Sequence, residues 1–114
     1  MNQAVRVQWD ALRSLGFASF AAGYTIVGTA FAHPIRLLVM QNLTNGTATV
    51  SFDGVTDHMV LPSGGQIVLD FASDASFVAG MWSLAVGDSV WVKNNGAAPT
   101  SGSFYVSAAY GKGE

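Results

Sequence analysis

Residues 42–70 read NLTNGTATVSFDGVTDHMVLPSGGQIVLD, and the punctuation of this stretch decides the fold class. Asn45-Gly46 predicts a two-residue hairpin turn of type I′, because both central residues of that turn need a positive φ. Residues 47–52 then alternate, with Ala48, Val50 and Phe52 on one face and Thr47, Thr49 and Ser51 on the other. Asp53-Gly54 predicts a second turn, Met59-Val60-Leu61 a short strand stopped by Pro62, and Ser63-Gly64-Gly65 a third turn before a strand over 67–69. Strands this short at this spacing predict an all-β chain, an antiparallel β-sandwich of jelly-roll type with about eight to ten short strands.

Working outward, residues 35–42 form a nearly continuous apolar run, and Leu37-Leu38-Val39-Met40 predicts a central strand covered on both faces. His33-Pro34 breaks the pattern ahead of it, since Pro34 has no N–H to give to a ladder. Residues 14–32 carry no charge and approach the roughly 18-residue apolar length of a membrane helix. With Arg6 and Arg13 ahead and Ala30-Phe31-Ala32 behind, they also mimic a signal peptide. Gly16, Gly23 and Gly28 interrupt the run, and Ser14, Ser19, Thr25 and Thr29 dilute it. Two strands are therefore expected, over 12–17 and 24–31, joined at Ala21-Ala22-Gly23, with no membrane span and no cleaved leader. Beyond residue 70 the pattern predicts a loop or a single helical turn over 71–80, an ambiguous stretch over 81–86 and a turn at Gly87-Asp88. A strand over 89–93, a turn-rich segment over 94–102, a last strand over 103–110 and a short polar tail follow. The alternating positions nominate Leu37, Val39, Val50, Phe52, Val90, Val92, Phe104 and Val106 as core.

At 114 residues the chain is of single-domain size. We divide it into an N-terminal strand or arm, 1–11, and one β-sandwich domain, 12–114. Half of the residues are hydrophobic and only 11% are charged, against a usual charged share of about 25%. So little charge predicts that part of the surface is covered by other copies, because the centres of interfaces are charge-depleted. The net charge of −2 and the absence of basic stripes argue against a nucleic-acid partner. With no cysteine there is neither a disulfide framework nor a thiolate metal site, which fits folding in a reducing cytoplasm.

No constellation for chemistry emerges. The Asp53–Gly54–Val55–Thr56–Asp57–His58 loop offers carboxylates to calcium, but it lacks the twelve-residue spacing and the closing glutamate. A hairpin rim is the better reading. His33 and His58 are the only histidines, and nothing in the spacing brings them to Asp53, Asp57, Asp70 or Asp74. No Gly-x-Ser-x-Gly elbow is present. We expect no catalytic residues, no bound metal and no cofactor, and hence no enzyme. The aromatic residues Trp9, Trp82, Trp91, Tyr24, Tyr105 and Tyr110 suit core or interface anchors, with a sugar-stacking platform as the alternative. Val5, Val7 and Trp9 alternate with Arg6 and Gln8. Together with Arg13 this nominates Val5, Arg6, Val7, Trp9 and Arg13 as an assembly surface, the segment adding to a neighbour's sheet edge or simply completing its own sheet.

Three segments resemble a family of small structural proteins of tailed bacteriophages. They are TAFAHPIR at 29–36, VSFDGVTDH at 50–58 closed by LPSGG at 61–65, and APTSGSFYV at 98–106 ending in YGKGE at 110–114. The resemblance implies a β-sandwich or jelly-roll subunit of the virion, first a capsid decoration (cement) protein and next a tail or head–tail junction component. It further implies the major capsid protein and copies of itself as partners, a trimer ahead of a dimer. The location it implies is the capsid surface after synthesis in the host cytoplasm. A carbohydrate-binding module on the virion surface is the alternative of another class.

Overall fold

A computed structural model describes residues 5–70 and 86–113. Nine strands run in chain order: β1 (Val5–Trp9), β2 (Arg13–Gly16), β3 (Thr25–Ile26), β4 (Ile35–Asn42), β5 (Ala48–Ser51), β6 (Met59–Leu61), β7 (Gln66–Asp70), β8 (Trp91–Asn94) and β9 (Ser103–Gly113). One 3-10 turn, Phe17–Ser19, follows β2, and there is no α-helix among the described residues. No described helix is long and apolar enough to cross a membrane. The expectations for residues 71–85, including Asp74 and Trp82, and for residues 1–4 and 114 lie outside the described residues.

The strands form two antiparallel sheets. One has the order β1-β9-β4-β7, with β2 also on β9, and the other the order β3-β8-β5-β6. β1 and β2 share one edge of β9 as a single broken strand: Trp9 faces Ala109 and Arg13 faces Val106. Residues 10–12 thus oppose residues 107–108, a one-residue bulge. With β1 and β2 taken together, eight strands wind between two sheets, with β5 and β6 consecutive in one of them, in the double Greek-key winding of a jelly roll. The predicted fold class holds.

Between the sheets lie Leu38 and Met40 of β4, Phe104, Val106 and Ala108 of β9, Ala48 and Val50 of β5 and Val92 of β8. Val27, Phe31 and Val90 close the same core. Six of the eight nominated core positions pack there or against it, Phe52 from a half-buried position. Leu37 and Val39 do not. A bulge between Ile35 and Leu37 shifts the phase of β4, so Ile35, Leu38, Met40 and Asn42 point inward while Leu37 and Val39 are half-buried on the outer face. β4 is central, as expected, but its outer face is only partly covered.

The segment containing Asn45-Gly46 is not a hairpin. β4 pairs with β7 and β9, whereas β5 pairs with β6 and β8, so this segment is a crossover from one sheet to the other. Neither residue adopts a positive φ. The Asn42 side chain shapes the crossover instead. Its Nδ2 donates to the Gly46 and Leu61 carbonyls, and its Oδ1 accepts from the Thr44 amide and hydroxyl. On the other side of the crossover, Gly102 (φ +87°) packs so tightly that a Cβ there would sit 2.1 Å from the Leu43 carbonyl oxygen. The expected strand over 24–31 is likewise shortened. Its ladder continues irregularly, Val27 N–H donating to Val90 and Phe31 N–H to Asp88, around Gly28 at φ +72°.

Candidate assembly surface

The acidic loop after β5 is built to hold itself. Asp53 Oδ1 accepts from the Ser51 hydroxyl at 2.7 Å, the Val55 amide at 2.8 Å and the Thr56 amide at 2.7 Å. The two amides first, then the hydroxyl, hold its carboxyl well below the usual carboxylate range. Asp57 accepts from the Tyr24 hydroxyl and pairs with Lys93 Nζ at 3.1 Å, and both lower its pKa. Lys93 also lies 4.8 Å from the centre of the Tyr24 ring. Partial burial and then the Asp57 hydrogen bond push the Tyr24 phenol up to about 12. His58 Nδ1 accepts the Phe52 amide. These contacts fold the loop on itself and anchor it to sheet β3-β8-β5-β6. The described residues contain no group of three or more acidic, histidine or cysteine side chains able to hold a metal.

The two histidines lie apart. His33 stacks on Tyr110 of β9, ring centres 3.8 Å apart and 10° from parallel, while His58 packs against Phe52. The aromatic residues are divided too. Trp9 is on β1, Tyr105 and Tyr110 on β9, and Trp91 on β8 of the other sheet. Trp91 lies beneath Gly54, where an added Cβ would be 3.1 Å from the indole.

The nominated assembly residues separate into two groups. Arg13 is turned inward. Its guanidinium lies 4.5 Å from the centre of the Phe31 ring, its Nε donates to the Thr29 carbonyl at 2.8 Å, and its Nη1 pairs with Asp10 at 3.1 Å. Partial burial opposes ionisation of Asp10, but the Ala11 amide and Arg13 outweigh it and lower its pKa. Arg13 is therefore withdrawn from any surface, for a reason the sequence hid: the 10–12 bulge rotates it to the core side. Val5, Arg6, Val7 and Trp9 belong to β1, which is paired to the chain's own β9 rather than extended as an arm. Val7 is 68% and Trp9 51% exposed. They share the outer face of the five-stranded sheet with Ala109, Leu37, Val39 and Val68. Leu12, in the bulge, is exposed as well. Sequence reasoning missed Leu37, Val39 and Val68 as surface residues, because a single bulge decides which way β4 faces.

No protein-family model matches the chain, and no curated protein matches it. Among solved structures it is similar to a protein of the Bacillus endospore appendages, described as a novel family of disulfide-linked pili. The fold is shared. The two chains superpose with a TM-score of 0.54 over 98% of this chain and 92% of the other, at 16% sequence identity. The cross-linking chemistry of those pili has no counterpart in these 114 residues, which contain no cysteine.

Proposed function

We propose that this chain is a non-enzymatic structural subunit that self-associates on a larger particle, as a capsid decoration (cement) protein on the head of a tailed bacteriophage. The observation that carries this reading is the division of labour among side chains. Asp10, Arg13, Asp53, Asp57 and Lys93 are engaged within the chain, with Arg36, Asp70 and Asp88 also engaged. Large apolar residues are left exposed, Val7, Trp9, Leu12 and Val68 on one sheet and Leu43, Val55, Val60 and Val86 elsewhere. A rigid sandwich with spent charges and exposed apolar side chains binds other protein surfaces by apolar burial. On this reading the partners are the major capsid protein and further copies of the chain. The site of action is the outer capsid surface, reached after synthesis in the host cytoplasm. The test is co-sedimentation of the purified chain with particles that lack it, followed by electron microscopy. Regular density on the head supports the reading, and failure to bind any particle component removes it.

The likeness to a pilus protein supports a second reading, a subunit that polymerises into a filament, which in a phage would be a tail component. Electron microscopy of the concentrated chain alone separates the two: filaments favour polymerisation, and discrete small oligomers favour decoration.

A further inference from the structure

We infer that Asn95 is a modification site: the Gly96 backbone nitrogen attacks its side-chain amide, and water converts position 95 to a mixture of aspartate and isoaspartate. The dipeptide Asn-Gly occurs twice in the chain, at 45–46 and at 95–96. By sequence the two are equally reactive, because asparagine is thermolabile and a following glycine has no Cβ to shield its own nitrogen. The structure separates them.

At the first pair both reacting groups are held. Asn45 Nδ2 donates to the Thr100 hydroxyl at 2.7 Å, and Asn45 Oδ1 accepts from the Thr100 amide at 2.7 Å and the Ser101 amide at 3.3 Å. The Gly46 N–H donates to the Thr44 hydroxyl at 3.3 Å, and a Cβ on Gly46 would lie 3.3 Å from Pro99. The related pair Asp53-Gly54 is clasped in the same way, its side chain by the contacts described above and its Gly54 N–H by the Ser51 hydroxyl at 2.9 Å. At the second Asn-Gly pair nothing comparable is present. Asn95 and Gly96 are both exposed. Neither the Asn95 side chain nor the Gly96 N–H makes a hydrogen bond to another described residue. Gly96 has φ +88°, and nothing lies within 4 Å of a Cβ built on it. The Asn95 N–H donates to the Thr47 carbonyl at 3.1 Å, which fixes the backbone ahead of the reacting amide and leaves the side chain free to turn.

The reaction needs water alone. The Gly96 nitrogen gives its proton to hydroxide and bonds to Asn95 Cγ. The Cγ–Nδ2 bond breaks, the amide nitrogen takes a proton from water and leaves as ammonia, and a five-membered cyclic imide remains. Water then adds to one of the two imide carbonyls and opens the ring. Opening at Cγ gives aspartate, and opening at the backbone carbonyl gives isoaspartate, whose main chain carries one extra methylene. Either product places a carboxylate where a neutral amide stood, in a chain whose net charge is only −2.

The test is to age the folded chain in mildly alkaline buffer, digest it with pepsin in acid, and follow the mass gain of deamidation at positions 45 and 95 separately. Isoaspartate is read independently by methyl transfer from S-adenosylmethionine with an isoaspartyl methyltransferase. Position 95 should deamidate roughly tenfold faster than position 45, because the hydrogen bonds of Asn45 must break before its ring can close. In urea, where both pairs are released, the two rates should converge. Asn95→Gln should remove the acidic species that forms first on isoelectric focusing. Equal rates at 45 and 95 in the folded chain, a ratio that urea leaves unchanged, or an acidic species that persists in Asn95→Gln overturns the inference.

Discussion

The side-chain amide of Asn42 donates to the Leu61 carbonyl at 2.8 Å, and that hydrogen bond ties the end of β4 in one sheet to the end of β6 in the other. Asn42 is fully buried, and both ends of its amide are satisfied: two carbonyls accept from Nδ2 and two donors reach Oδ1. Asn42→Ala strands these partners in the interior. Each unsatisfied buried group costs about 1–3 kcal/mol, so a loss of roughly 2–4 kcal/mol is expected in urea denaturation. Asn42→Asp should be no better, because it replaces the donor with a buried acceptor.

Gly102 and Gly64 make a matched pair. Both have positive φ, but a Cβ at Gly102 would collide with the Leu43 backbone, whereas Gly64 faces open space. Gly64→Ala should cost about 1–2 kcal/mol, the strain of the left-handed conformation. Gly102→Ala should fail to fold, or unfold at far lower denaturant, since the clash is with backbone rather than with a side chain that can move.

Phe104 and Phe52 should differ although both occupy strand-like sequence. Phe104 is fully buried on β9, whereas Phe52 is half-buried just past the end of β5. Phe104→Ala is expected to cost about 3–5 kcal/mol, and Phe52→Ala clearly less, with melting temperature as the measurement.

What the sequence made legible explains this contrast. Val50, Val92, Phe104 and Val106 follow from alternation within strands whose phase nothing disturbs. The misplaced pair, Leu37 and Val39, follows a bulge that no residue pattern announces. Asn45-Gly46 carries a strong local turn signal, but the choice of partner for β4 and β5 is made by distant strands, and the buried Asn42 amide then dictates the crossover. Thr49 and Ser51 fall on the face opposite Ala48 and Val50, yet they are buried too. Ser51 lies under a loop whose Asp53 takes up its hydroxyl. For the surface, the alternation of Val7 and Trp9 was visible, whereas the fate of Arg13 depended on Phe31, eighteen positions away in the chain.

The acidic loop predicts a directional pH response. Asp53 and Asp57 have depressed pKa values in the folded chain. Their contribution is therefore complete above the unfolded value of about 3.9 and is lost as pH falls through the folded values. Unfolding followed from neutrality to about pH 3 should show less acid sensitivity in Asp53→Asn than in the unmodified chain. At the alkaline end the sign reverses. The raised Tyr24 pKa contributes below the unfolded value of about 10, and that contribution is lost as pH rises through about 12. Phenolate absorbance should show the Tyr24 midpoint raised above its ordinary value, and Asp57→Asn should lower it.

Added calcium or a chelator should leave the melting temperature unchanged. Asp53 Oδ1 already accepts three hydrogen bonds and Asp57 Oδ1 is shared between Tyr24 and Lys93, so a cation would have to compete with these contacts for the two carboxylates. A rise in melting temperature on adding calcium would mean that the loop opens to bind it.

The pairing of Val5 with Gly113 has a mechanical consequence. Force applied to these two residues in opposite directions acts across the ladder between β1 and β9, so the hydrogen-bonded pairs break one after another and the ribbon unzips at low load. Force carried along β4, which is bonded to β7 on one side and β9 on the other, must instead shear two ladders at once. A shell or fibre that draws tension through the middle of this sheet therefore meets its stiff direction, and one that pulls on the two ends meets its weak one.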